Sequence, residues 1–132
     1  MSVGQSATPL GRVRGLGSAG HGGEHWVEER FISVALVLLS LWLIFSLTML
    51  PAFDRPTLIE WLRQPATAVP MALFVITAFK HGVDGTKVLI DDYVHDEGNR
   101  FACHFVIRMA GIAGTAFSLF ALAKIAFGAV AA

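Results

Sequence analysis

Three long apolar stretches run through this chain, each bounded by polar or turn-forming residues. The first, residues 31–50, carries no charged side chain and ends at Pro51. A run of ~20 apolar residues is what a helix needs to cross a ~30 Å hydrocarbon core. The second, residues 66–90, is apolar only in its first half; its second half carries Lys80, His81, Asp84 and Lys87. Such a span must turn protein, cofactor or water toward those groups rather than lipid. Pro70 falls in its first turns, where a missing N–H costs little. The third, residues 101–130, opens with His104 and Arg108 and has Lys124 within snorkelling reach of its far end. Ala110 and Gly114 form a small-xxx-small pair that would let another helix approach closely.

The connections are as informative. Residues 51–65 mix polar and apolar positions, and Pro56 is placed to start a short interfacial helix with Trp61 at headgroup level. Residues 91–99 form an acidic loop. The Gly/Ser-rich residues 1–23 are expected to be a flexible tail, and residues 24–132 a three-helix membrane domain. The expected fold class is therefore all-α integral membrane.

Composition agrees with that pattern. A 132-residue chain that is 55% hydrophobic and only 15% charged is a small polytopic membrane protein rather than a soluble domain. Its zero formal net charge gives no electrostatic case for nucleic acid. A single cysteine, Cys103, rules out an intrachain disulfide and a Cys-rich metal site. The first apolar run is too long for a signal-peptide core and is expected to be retained. Three spans put the termini on opposite sides. Arg12, Arg14, Arg30 and Arg100, with Arg108 nearby, outweigh Arg55 and Arg63, which favours a cytoplasmic N-terminus.

The chemistry concentrates on the second span. An imidazole inside a membrane helix is costly without a partner, so His81 is a candidate functional residue, and imidazole is a common axial ligand of haem iron. His81 and Asp92 are separated by about three helical turns, so they share one stripe ~16 Å apart. Gly82 and Gly85 remove side-chain bulk beside His81, as a flat macrocycle requires. Asp92 and Tyr93 place an acid and a phenol at the membrane edge, a pairing suited to a quinone. Each of these has a plainer alternative. His81 could hydrogen-bond a neighbouring helix, the glycines could serve helix packing, and Tyr93 could be an interfacial belt residue. Lys80 and Lys87 could snorkel, or Lys87 could meet Asp91 or an anionic group of a cofactor.

The string His81-x3-Gly85-x6-Asp92-Tyr93 resembles the signature of the hydrophobic membrane anchor subunits of succinate dehydrogenase, the smaller anchors of respiratory complex II. The likeness extends upstream through Glu24-His25-Trp26-Val27-Glu28-Glu29-Arg30 and Trp61-Leu62, and downstream through Val94-His95-x-Glu97-Gly98, in the manner of alphaproteobacterial members. The resemblance implies a three-helix bundle completed by a partner anchor, the cytochrome b556 subunit, with one haem b held between the two. His81 corresponds to the haem axial ligand. Tyr93 corresponds to the tyrosine that hydrogen-bonds a ubiquinone carbonyl, and Asp92 to the adjacent aspartate. Arg30 and Lys87 are candidates for the haem propionate or quinone side.

The resemblance further implies a flavoprotein subunit with FAD and an iron–sulfur subunit outside the membrane, and residence in the inner (cytoplasmic) membrane. This chain has no dinucleotide fingerprint and no cysteine cluster with which to oxidise succinate itself. Three other readings compete. One is a non-redox transporter or assembly component, with His81 and Asp84 as a polar pair. Another is a quinol:fumarate reductase anchor. The last is a self-contained cytochrome b with His81 and His104 as paired ligands.

Overall fold

The computed structural model describes residues 22–128, all of whose regular structure is helical. Four helices follow one another: α1 (Gly22–Thr48), α2 (Arg55–Arg63), α3 (Pro65–Tyr93) and α4 (Glu97–Phe127). The all-α membrane architecture expected from the sequence is what is found. Three helices are long and apolar enough to cross a membrane, over Trp26–Thr48, Pro65–Tyr93 and Glu97–Phe127, with mean hydropathies of 2.4, 1.4 and 1.8. The described residues fall into two units that divide after Phe31.

Every span is longer than its apolar run. α1 begins at Gly22 rather than residue 31, because Glu, Arg and Trp continue a helix as well as the apolar residues do. Within this first unit the Arg30 guanidinium lies over the Trp26 ring, 5.0 Å from its centroid and one turn away. α3 runs on through Asp91, Asp92 and Tyr93, and α4 starts at Glu97. The expected nine-residue loop thus shrinks to Val94, His95 and Asp96, with Asp96 capping α4 by accepting from the Asn99 N–H at 2.9 Å. α4 ends at Phe127; the last two residues of the expected span, and residues 1–21 of the expected tail, lie outside the described residues.

The second unit is organised by an antiparallel pair, α3 and α4. A side chain at Gly111 would overlap Val83, and one at Gly114 would overlap the Phe79 ring. Those contacts set the register. In lipid, where apolar burial drives little association, such close backbone approach is a main source of packing energy. The small residues that pack are therefore Gly111 and Gly114, not Ala110 and Gly114: Ala110 is exposed. Several hydroxyls in the spans are satisfied locally. Ser40, Thr77, Thr86 and Thr115 each donate to the carbonyl four residues back, at 2.7–2.9 Å.

α2 ties the opposite end together. Its Trp61, 8% exposed, is the core's one buried large side chain among the described residues. The indole stacks on Trp42 of α1 at 6.2 Å and donates through Nε1 to Ser46 Oγ at 3.0 Å. Trp61 is thus covered rather than turned out to headgroups. Arg63 reaches the end of α4, donating from Nε to the Ile125 carbonyl at 3.4 Å and from Nη2 to that of Gly128 at 3.2 Å. These carbonyls lie at the end of α4, and a cation suits the negative end of the helix dipole.

α2 itself starts as the sequence indicated, with Pro56 in its first turn and Asp54 as N-cap. Asp54 Oδ1 accepts from the Thr57 N–H at 3.1 Å. Hydrogen bonds from Thr57, side chain and backbone, hold the Asp54 carboxyl below its ordinary value of 3.8. A folded-state value lowered in this way gives a cap that is complete above the ordinary range and lost as pH falls through the folded value. The Thr57 amide resonance of the detergent-solubilised chain should titrate with a midpoint below 3.8. In Asp54→Asn that titration should vanish while α2 keeps its start.

Candidate functional site

On α3, residues advance by about 100° per position. Phe79 and Val83 face α4, so His81 between them points away from it. The structure leaves that outward side open. His81 is exposed, as are Gly85, Val88 and Asp92 along the same stripe. A Cβ added at Gly82 or Gly85 would meet nothing within 4 Å. These two glycines therefore serve no packing among the described residues, in contrast to Gly111 and Gly114. His81 makes no hydrogen bond or ion pair among the described residues, so the plain reading of it as an interhelical hydrogen-bonding group has no support among them.

The stripe ends where the helix ends. Val94, with φ −102° and ψ 99°, leaves the helical region while its N–H still bonds the Ile90 carbonyl at 2.9 Å. Tyr93 is thus the last residue of α3 and is 78% exposed. Asp92 beside it is also exposed. A free imidazole and an acid–phenol pair stand at two levels of one helix, ~16 Å apart along the axis at ~1.5 Å per residue. The imidazole can ligate a metal centre; the phenol can donate a hydrogen bond, and the carboxylate can pass a proton.

The other polar residues of α3 have different occupations. Asp84 accepts from Lys80 Nζ at 2.7 Å and from Lys87 Nζ at 2.6 Å. Lys87 is therefore paired with Asp84 and not with Asp91, and Asp84 is the partner of lysines, not of His81. The spacing i−4 and i+3 about Asp84 carried this signal, and reading the two lysines as snorkelling groups passed over it. Asp91 instead meets α4: its Oδ1 lies 3.0 Å from His104 Nε2. That ring nitrogen is buried and has no hydrogen bond of good geometry, so the two groups are close neighbours rather than a directed pair. The register places His104 opposite Asp91, ten residues along α3 from His81, or ~15 Å. Both imidazoles cannot ligate one iron, which removes the paired-ligand reading. Among the described residues no three His, Cys, Asp or Glu side chains converge on a common metal position. Arg30 belongs to the first unit, where it stands over Trp26.

The chain matches the succinate dehydrogenase/fumarate reductase transmembrane subunit family over residues 5–128. It is 32% identical over 123 residues to the succinate dehydrogenase hydrophobic membrane anchor subunit of Paracoccus denitrificans, covering 93% of this chain and 95% of that one. It is 34% identical over 83 residues to the subunit of the same name from Rickettsia bellii, covering 63% and 66% of the two chains. The succinate dehydrogenase membrane anchor subunit of Reclinomonas americana is 29% identical over 94 residues, covering 69% and 78%. No solved structure matches significantly.

The shared carboxylate gives an ordered prediction. Asp84→Asn removes the carboxylate that Lys80 and Lys87 share and should lower the stability of the solubilised protein by about 1.5–3 kcal/mol. Lys80→Met, which leaves Lys87 on Asp84, should cost less. Thermal unfolding followed by circular dichroism tests the order.

Proposed function

The chain belongs to the succinate dehydrogenase/fumarate reductase transmembrane subunit family, and from that membership we propose that it anchors a succinate:ubiquinone oxidoreductase while supplying one haem b ligand and part of the quinone site. Family membership and three spans make it a multi-pass membrane anchor that associates with other subunits of the enzyme. The finer assignments rest chiefly on one observation: His81 stands exposed and unbonded beside two open glycines, on a stripe that ends at Asp92 and Tyr93.

The residues fit a haem. His81 points away from α4, its imidazole is not engaged elsewhere among the described residues, and Gly82 and Gly85 leave the clearance a macrocycle face needs. Haem b, when bound, supplies a one-electron carrier inside the membrane. In this chain His81 would hold the haem iron, the other ligand being proposed to come from the partner anchor, the cytochrome b556 subunit. Lys87, the other candidate for the propionate or quinone side, is engaged with Asp84.

At the membrane edge the substrate is ubiquinone, whose reduction takes two electrons and two protons. Tyr93, its hydroxyl without a hydrogen bond among the described residues, donates to a carbonyl oxygen as negative charge develops there. Asp92, exposed beside it, takes up protons from interfacial water and passes them on. Electrons come from the flavoprotein, with its FAD, through the iron–sulfur subunit. Those subunits dock on the face that carries Tyr93, which is the cytoplasmic face of the inner membrane if the N-terminus is cytoplasmic. The relatives' names favour succinate oxidation over fumarate reduction.

A reduced-minus-oxidised spectrum of the purified complex tests the haem assignment. His81→Ala should abolish or clearly shift the b-type α-band; an unchanged band would refute it. Tyr93→Phe should keep that band and the succinate-dependent reduction of a soluble dye. It should lower ubiquinone reduction by about tenfold to a hundredfold, the equivalent of ~1.5–3 kcal/mol for a hydrogen bond to a charge-bearing acceptor. Equal loss of both activities would place Tyr93 in subunit docking instead.

A further inference from the structure

A polar contact joins α3 to α4 two residues before Tyr93. Asp91 Oδ1 lies 3.0 Å from His104 Nε2. That ring nitrogen is closed off from solvent, and among the described residues it is the one buried side-chain nitrogen or oxygen without a hydrogen bond. A buried polar atom in that condition is costly and calls for an explanation. Its distance from the carboxylate is already that of a hydrogen bond, and only the direction is wanting.

The last turn of α3 has need of such a contact. It carries Asp91 and Asp92 and no basic residue, so its side chains add negative charge at the negative end of the helix dipole. Lys87, one turn before Asp91, is engaged with Asp84. The glycine contacts that fix the α3–α4 register are remote. Val83, packed on Gly111, lies ten residues before Tyr93, or ~15 Å at ~1.5 Å per residue. Helix ends with little packing open most readily. The turn is closed by the Val94 N–H on the Ile90 carbonyl, 2.9 Å, just before the connection to α4.

Rotation links the contact to the quinone side. Asp92 and Tyr93 stand about 100° and 200° around α3 from Asp91. With Asp91 turned to α4, Tyr93 is turned nearly opposite, where it is 78% exposed. Whatever holds Asp91 against α4 therefore sets the direction in which the phenol is presented.

We propose that His104 is a positioning residue for quinone reduction. It donates through Nε2 to Asp91, holds the last turn of α3 against α4, and so aims the Tyr93 hydroxyl at the quinone carbonyl without touching the quinone itself. The proposal rests on the assignment of the quinone to Tyr93. A misplacement of about 1 Å at a reacting group can cost a hundredfold in rate, so a contact outside the site can govern it.

The test uses the complex purified through a tag on this chain, so that only anchor-bound enzyme is assayed. His104→Leu should lower ubiquinone reduction by about tenfold and leave succinate-dependent dye reduction intact. His104→Gln, which keeps an N–H donor for Asp91, should retain most of the wild-type rate, and Asp91→Ala should match His104→Leu. Because His104 acts through Tyr93, His104→Leu combined with Tyr93→Phe should be no slower than Tyr93→Phe alone, within about twofold. Hydrogen exchange at the Val94 amide should quicken in His104→Leu. An unchanged rate in His104→Leu beside a slowed Tyr93→Phe would overturn this proposal alone. Equal loss of dye and ubiquinone reduction would make His104 an assembly contact, and multiplying losses in the double variant would make it act apart from Tyr93; either result overturns it. So would His104→Gln as slow as His104→Leu, or unchanged exchange at Val94. If Tyr93→Phe itself reduces ubiquinone at the wild-type rate, the quinone assignment falls and this proposal with it.

Discussion

The close approach of α3 and α4 at Gly111 and Gly114 is the contact on which the rest of the second unit depends. Lipid offers little reward for burying one leucine against another, so two helices hold together there largely by fitting backbone to side chain at short range. Val83 and Phe79 fill the space that those glycines leave. Once they do, the rotation of α3 is fixed. His81 must turn outward, the Asp84 cluster must flank one groove, and Asp91 must meet His104. One packing decision thus sorts the polar residues of a single helix into three separate environments.

Sparse burial elsewhere follows from the same setting. Among the described residues only Trp61, Thr67 and Gly111 are buried. A soluble chain with so small a core would not fold. Here the backbone of each helix satisfies itself, hydroxyls bond back along their own turns, and the apolar surface has lipid or other subunits for company. The exposed stripe from His81 to Asp92 differs from the remaining apolar surface in carrying groups that lipid cannot satisfy, which is why it calls for a protein or cofactor neighbour.

Much of this was legible in the sequence, and the exceptions have physical causes. The three spans, the short helix at Pro56 and the stripe joining His81 to Asp92 all follow from apolar run length and helical period. Helix ends were misjudged because charge marks the end of a lipid-facing run, not the end of a helix: Glu24–Arg30 and Asp91–Tyr93 are good helical residues that leave the membrane without uncoiling. The choice of Gly111 over Ala110 depended on the rotation of α4, and spacing alone leaves that rotation open. The Asp84 pairs were local and readable, but the Arg63 contact joins residues 62 and 65 positions apart and left no trace in any window of sequence.

That last contact bears on how the protein is made. Spans enter a membrane in chain order, and the carbonyls at the end of α4 are the last described part to emerge. Their partner, Arg63, precedes them in the chain, on a helix whose Trp61 stacks on Trp42 of the first span. The final span is therefore received by a prepared anchor, and a chain stalled or truncated before residue 125 would lack the clasp that closes the second unit at that end. Arg63 can therefore engage only a chain synthesised through α4.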